Sequence, residues 1–457
     1  MQSRPDLPST SVNDQLLRFT LETPPWFWVA AAVLALAVMA GLACVGLIVV
    51  FGLQLLGYTH VQQWSVLITH LIFWVGISET GVMISAILRL SQAEWRRPVT
   101  RAAEVLAIFA LITAALFPII HTGRMWRTAY WFAPYDFVRD IWPNVRSVLV
   151  WDASAILTYL TATVLFVYVD LIPDLAVARE RTHGWRRACY GVLSLGFRGT
   201  TREWKLQRVG GLMLSALILP VFVSVHSTVA WDFGVVLLPG WHTTILAPYF
   251  VVGAIHSGVA GVVTVMYALR RLLHLEPFIR REHFEIVGRI QIIVALGWLF
   301  FSLSDFFFAL VGADPLEVRL WELRLFEAPW NVLFAVFFLT VFVIPFPLLL
   351  LHRVRSSPAT MFWLSIGINI GMWLERYILV VTPLTVKQPF VFTWLDSYTP
   401  QPVEYVLSIS FLALVALGLL LFARVFPIVP IWEVKEGQIV SQRIKIGRAR
   451  VPAAIQE

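Results

Sequence analysis

Phe73-Trp-Val-Gly-Ile-Ser-Glu-Thr-Gly81 and Phe250-Val-Val-Gly-Ala-Ile-His-Ser-Gly258 share Phe, Val and two Gly at identical spacing, with Glu79 aligned to His256. Each stretch lies inside a long apolar run. No charged residue occurs between Glu22 and Glu79, whereas about 20 apolar residues suffice for a helix to cross a bilayer. The composition agrees: 58% of the 457 residues are hydrophobic, 14% are charged, and the mean hydropathy is +0.76. Soluble domains average about 25% charged residues. Soluble-enzyme, disordered and disulfide-scaffold classes are excluded, and an all-α integral membrane protein is expected.

Apolar runs bounded by charge, Gly and Pro predict ten spans: 27–56, 64–90, 102–121, 147–170, 209–229, 243–269, 288–312, 327–351, 358–381 and 403–424. Residues 1–25 form an N-terminal extension, 26–425 the membrane domain and 426–457 a tail. The first span is too long for a signal-peptide core and follows a polar segment, so its retention is expected. Counting Arg424, at the end of the last span, with the tail, Lys and Arg number 27 in the N-terminus, the tail and the loops 89–101, 172–208, 270–289 and 352–356. The opposite loops (57–63, 122–146, 230–242, 313–324 and 382–401) hold 7. Positive charge marks the cytoplasmic side, so both termini are expected there. The two matched stretches run in the same direction. They suggest a parallel repeat of four-helix bundles, spans 2–5 and 6–9, flanked by spans 1 and 10; chance recurrence of Gly-rich packing faces is the bland alternative.

Several cofactor classes fall away. Cys44 and Cys189 are the only cysteines, so the chain by itself attaches no c-type haem and holds no iron–sulfur cluster. His242 and His256 are spaced for two b haems on one helix, but no other helix offers a matching pair. The basic residues are scattered in short loops, which argues against nucleic acid.

Ionisable groups at membrane depth are costly and point to function. Glu79, Asp152, Asp305, and the adjacent Glu375 and Arg376 are the clearest, joined by His121, His226, His242, His256 and Asp232. The assigned directions place His121, Arg146, Asp152, His226, Asp232 and Arg376 near the outer face, with Glu79 and His256 near the middle and Asp305 between. Glu375 and Arg376, as neighbours on one helix, are expected to point apart. One outward pocket would collect these groups. A quinol that loses two electrons also loses two protons, which a His–Asp set can accept. Plainer roles stand beside this: His121 as a helix cap, Arg124, Arg127 and Arg146 as lipid-phosphate anchors, and the aspartates as surface caps.

The chain resembles the NrfD/PsrC family of quinone-interacting membrane subunits, and most of all the larger such subunit of bacterial alternative complex III. The resemblance rests on residues 76–81, Trp95-Arg-Arg-Pro98, Arg101-Ala-Ala-Glu104, Phe117-Pro-Ile-Ile-His-Thr-Gly-Arg124, Trp142-Pro-Asn-Val-Arg-Ser147 and Trp151-Asp152. It continues through Leu171-Ile-Pro-Asp-Leu175, His226-Ser-Thr-Val-Ala-Trp-Asp232, Gly371-Met-Trp-Leu-Glu-Arg-Tyr377 and Pro427-Ile-Val-Pro-Ile-Trp-Glu433. It implies quinol (menaquinol) oxidation at the outer face of a bacterial cytoplasmic membrane. Electrons would pass to an iron–sulfur subunit, beside a second NrfD-like subunit, multihaem cytochrome c subunits and lipids. His121, Asp152 and Asp232 are the implied quinol-binding and deprotonating residues, supported by Arg376, His226 and Arg146. Glu79, His256, Asp305 and Glu375 are implied in proton transfer, with translocation across the membrane a further expectation. Relatives carry His where this chain has Glu79, so a carboxylate replaces an imidazole there. Two rivals stand: the membrane anchor of a molybdopterin or multihaem reductase, and a secondary transporter.

Overall fold

Apolar segments too long to hide in a soluble core form helices that satisfy their own backbone groups. In the computed structural model, residues 9–59, 62–128, 148–386, 398–440, 443–446 and 449–452 are described, together with Asp140 and Arg146. Among them ten helices are long and apolar enough to cross a membrane, as expected of a multi-pass integral membrane protein. A short helix α1 (Ser9–Leu21) precedes α2 (Pro25–Phe51), α3 (Val66–Leu90), α4 (Thr100–His121) and α5 (Val148–Glu180). After the short α6 (Gly184–Leu193) come α7 (Thr201–Gly234), α8 (Leu246–Leu272) and α9 (Arg281–Gly312). Then follow a connecting helix α10 (Pro315–Phe326), α11 (Trp330–Leu350), α12 (Pro358–Thr385) and α13 (Pro402–Val425). The tail adds α14 (Ile431–Val440) and an antiparallel hairpin, β1 (Arg443–Ile446) with β2 (Ala449–Pro452), which hydropathy does not indicate.

Several helices outrun their apolar segments. The fifth span is expected over 209–229, but α7 begins at Thr201, where Thr200 and Glu203 form a reciprocal capping box, and ends at Gly234. An apolar run measures hydrocarbon thickness, whereas a helix continues until its cap. At 1.5 Å per residue, α5 and α7 reach about 50 Å, well beyond a core of about 30 Å.

The most buried helices, α3, α4 and α8, form the centre, while α2 exposes most of its surface. The two matched stretches meet directly: Gly76 packs on Ala254, and Thr80 fits against Gly258 and donates its hydroxyl to Ala254 O at 2.9 Å. A Cβ at Gly258 would overlap Thr80, so glycine is required there.

Prolines inside spans remove a backbone donor and strand the carbonyl four residues earlier. Neighbouring side chains fill three such gaps. Val169 O, four before Pro173, accepts from Gln207 Nε2 at 2.5 Å. Leu379 O, four before Pro383, accepts from Trp241 Nε1 at 2.8 Å. Val341 O, four before Pro345 and inside a π-helical turn (Leu339–Val343), lies 3.3 Å from His256 Nε2.

At the end of the bundle shared by α1 and the tail, buried charges are closely paired. Arg89 bonds Asp170 at 2.7 Å and lies 3.4 Å from Glu433. Arg101 bonds Asp170 at 3.0 Å and also bonds Asp174. Arg96 holds Glu433 at 2.8 Å, and Arg97 holds Glu436 at 2.6 Å. Asp174 accepts from the backbone N–H groups of Ile431 and Trp432, both at 3.0 Å. These bonds fasten α14 beneath α3, α4 and α5.

Candidate functional site

Glu79 lies midway along α3, where a lone carboxylate would be uncompensated. Its partner comes from α7: His226 Nδ1 is 2.7 Å from Glu79 Oε2, and both side chains are fully buried. The pair can carry one proton without leaving a net charge stranded in the core, because the carboxylic acid–imidazole and carboxylate–imidazolium forms are both neutral overall.

Phe250 of α8 packs beside His226, with ring centroids 5.9 Å apart, and the Arg376 guanidinium stacks over the same phenyl ring at 4.5 Å. Gly253 makes room for that guanidinium, since an added Cβ would collide with it. Glu375 lies beyond. Its Oε1 accepts from the Tyr249 hydroxyl and from Trp298 Nε1 at 2.9 Å. Contrary to expectation, Glu375 and Arg376 do not point apart: their side chains turn toward each other, Oε2 to Nη1 3.5 Å, both buried. α3, α7, α8, α9 and α12 thus contribute to one polar centre.

Asp152, one turn into α5, and Asp232, near the end of α7, bring their carboxyl groups close enough to interact, each only 6% exposed. Asp232 is six residues from His226 on the same helix, about 9 Å along the axis. The apolar run places His226 at the span end beside Asp232. It lies deeper, level with Glu79, because α7 continues five residues beyond the expected end.

The remaining expected site residues lie elsewhere. His121, the last residue of α4, is half-buried, with Nδ1 3.4 Å from the Tyr58 hydroxyl. Among the described residues no hydrogen bond joins it to either aspartate. Arg146 is exposed and outside the buried centre. His256 has both ring nitrogens engaged: Gln291 Nε2 donates to Nδ1 at 2.7 Å and Nε2 faces Val341 O. That arrangement suits a neutral imidazole closing a proline gap. Asp305 is half-buried, within electrostatic reach of Arg324 and Glu375.

Several buried polar groups escape a reading of the sequence. Arg324 of α10 is 5% exposed, donates Nε to Thr382 Oγ1 at 2.9 Å and stacks on Trp321 at 5.2 Å. Burial lowers its pKa from the usual guanidinium value, against the opposing pull of Asp305. Glu404 accepts from Ser65 Oγ at 3.3 Å and from the Tyr398 hydroxyl at 2.5 Å. His70 donates or accepts at Ser408 Oγ (2.7 Å) and stacks on Phe117. Glu104 bonds Ser85. Glu404 and Arg324 stand at segment ends, where charge is ordinary, and carry no signal of burial; Glu104 enters only within the resemblance stretch Arg101-Ala-Ala-Glu104.

The family model described as "Polysulphide reductase, NrfD" matches residues 54–388, a range that contains every residue of the polar centre and the aspartate pair. Over 227 residues the chain is 26% identical to a Halobacterium salinarum protein described as a putative membrane subunit of dimethyl sulfoxide reductase. That alignment takes in 50% of this chain and 48% of the relative, so the chain spans about half the length of the curated relative it matches.

Proposed function

The chain belongs to the NrfD family, and from that premise we propose that it is the quinone-reactive membrane subunit of an oxidoreductase complex, oxidising quinol as in alternative complex III. The observation that carries this reading is the buried Asp152–Asp232 carboxyl pair, set about 9 Å along α7 from the Glu79–His226 pair. Quinol oxidation releases two electrons and two protons. An aspartate of the pair accepts the first hydroxyl proton, since a carboxylate buried beside a second carboxyl group gains by taking one up. His121, at the same end of the adjacent helix, orients the ring from the other side. Glu79 and His226 receive a proton passed inward, and Arg376 offsets the negative charge left on the pair once that proton moves on. Asp305 and Glu375 belong to a second proton route in this proposal. His256, bonded at both nitrogens, serves it by holding α8, α9 and α11 together.

The substrate is a membrane quinol of the menaquinol type. The chain is expected to attach no haem or iron–sulfur cluster of its own, so electrons leave to an iron–sulfur subunit at the outer face. A second NrfD-like subunit and multihaem cytochromes complete the assembly. The cation distribution supports a bacterial cytoplasmic membrane with both termini inside, and the matched stretches support two parallel four-helix units. The relative's name supports a second version, in which the same site serves the membrane subunit of a reductase.

A hydroxyquinoline N-oxide quinol analogue binding to the purified protein tests the proposal. Asp152→Asn and Asp232→Asn should each weaken it by about tenfold, the usual worth of a charge-assisted hydrogen bond. Unchanged binding in both variants would sink it, and substrate uptake into vesicles without quinol oxidation would favour the transporter.

A further inference from the structure

At the tail end of the bundle, α6 exposes Trp185 and Val192, and Leu195 follows, also exposed. Arg186 and Arg187 stand on the same short helix. A helix that shows apolar side chains beside cations settles in the headgroup layer of a membrane. Its depth is fixed against α5: the Tyr168 hydroxyl donates to Leu193 O at 2.8 Å, and Arg179 donates to Phe197 O at 3.1 Å.

At that level a cleft of about 430 Å³ opens between the end of α5, the turn 197–199, the start of α7 and α14. Its walls are aromatic. Phe197 meets Trp204 edge-on at 5.2 Å, and Trp204 lies 5.6 Å from Trp432. Its rim is basic, with Arg198, Arg208 and Lys435 against Glu180 and Glu436. Glu436 is already bonded to Arg97, so cations prevail. The N-terminus of α7 is not the attraction, because Glu203 occupies it. The walls are set in advance: Gln207 is fixed on Val169 O, and Trp432 Nε1 donates to Asp170 O at 3.2 Å. From the rim, α7 descends with Leu206, Val209 and Met213 exposed.

We propose that this cleft binds the phosphodiester headgroup of an anionic phospholipid, whose acyl chains run down the exposed face of α7. A soluble phosphate would share the basic rim. It would gain nothing from the aromatic walls or from the apolar ladder leading into the membrane. A zwitterionic lipid would fill the ladder but bring its own cation to a rim already rich in them. Basic residues near the membrane surface favour acidic lipids, each by a comparable increment.

The test uses the intact protein in mild detergent, delipidated and titrated with dioleoyl-phosphatidylglycerol or dioleoyl-phosphatidylcholine, with retained lipid read by native mass spectrometry. The expected result is selective retention of phosphatidylglycerol, weakened about tenfold in an Arg198→Glu, Lys435→Glu double variant. Arg319→Glu, in α10, should leave retention unchanged. A melting curve equal to that of the unaltered protein confirms that the double variant is folded, and the single Arg198→Glu, at an exposed side chain, provides an independent intermediate loss. Equal retention of both lipids, undiminished retention in the variants, or displacement by inorganic phosphate would each overturn the proposal.

Discussion

His226 Nδ1 and Glu79 Oε2 stand 2.7 Å apart with neither side chain reached by solvent. A carboxylate and an imidazole so placed act as one proton-holding unit. Under the proposed function, Glu79→Gln keeps the shape and removes the acid, so quinol oxidation should fall about a hundredfold, in the range of lost acid–base catalysis. His226→Ala should fall similarly, and the double variant no further, because members of one unit are non-additive. Steady-state turnover checks this, and losses that multiply would show two separate roles.

The aspartate pair behaves differently. Two buried carboxyl groups in contact repel when both are ionised. Asp232→Asn replaces that repulsion with an amide able to donate to Asp152. The melting temperature should therefore hold or rise while analogue binding weakens. A clear drop in melting temperature would mean that the pair serves the fold.

Glu433 is fully buried between Arg96 and Arg89. Arg89 keeps Asp170, but Glu433→Ala takes the carboxylate from the largely buried Arg96 and should destabilise the protein by about 3 kcal/mol. Glu436, partly open to solvent, pairs with Arg97, and Glu436→Ala should cost less than about 1 kcal/mol. Thermal unfolding in detergent compares the two, and equal effects would contradict the assignment.

At the contact between α3 and α8, Gly258→Val would overlap Thr80. Overpacking of this kind costs about 1–3 kcal/mol. Adding Thr80→Gly should recover much of it, which a double-mutant cycle on melting curves can measure.

The spans are legible in the sequence because a bilayer demands long apolar runs, and Glu79 is legible because a charge inside such a run stands out. Partners are harder to read. His226 looks like a span-end residue because hydropathy stops at 229, whereas the helix ends at Gly234. The inward turn of Glu375 and Arg376 depends on Tyr249, Trp298 and Phe250, all on other helices. His256 draws attention as a buried imidazole, but its bond to Val341 O answers a gap left by Pro345, a relationship between distant segments that no local pattern carries. Arg324 and Glu404 sit beside apolar runs, so only their packing reveals them.

The fastening of α14 also bears on how the chain is built. Arg89 and Arg101 emerge early in synthesis, Asp170 and Asp174 later, and Glu433 near the last. The first guanidinium groups therefore wait for partners from the fourth span, and their neutralisation is complete only when the tail folds back. The tail can seat only where α3, α4 and α5 have already gathered those cations and aspartates together. Its docking thus reports correct insertion of the early helices, and a misthreaded chain would leave the tail loose and open to proteases.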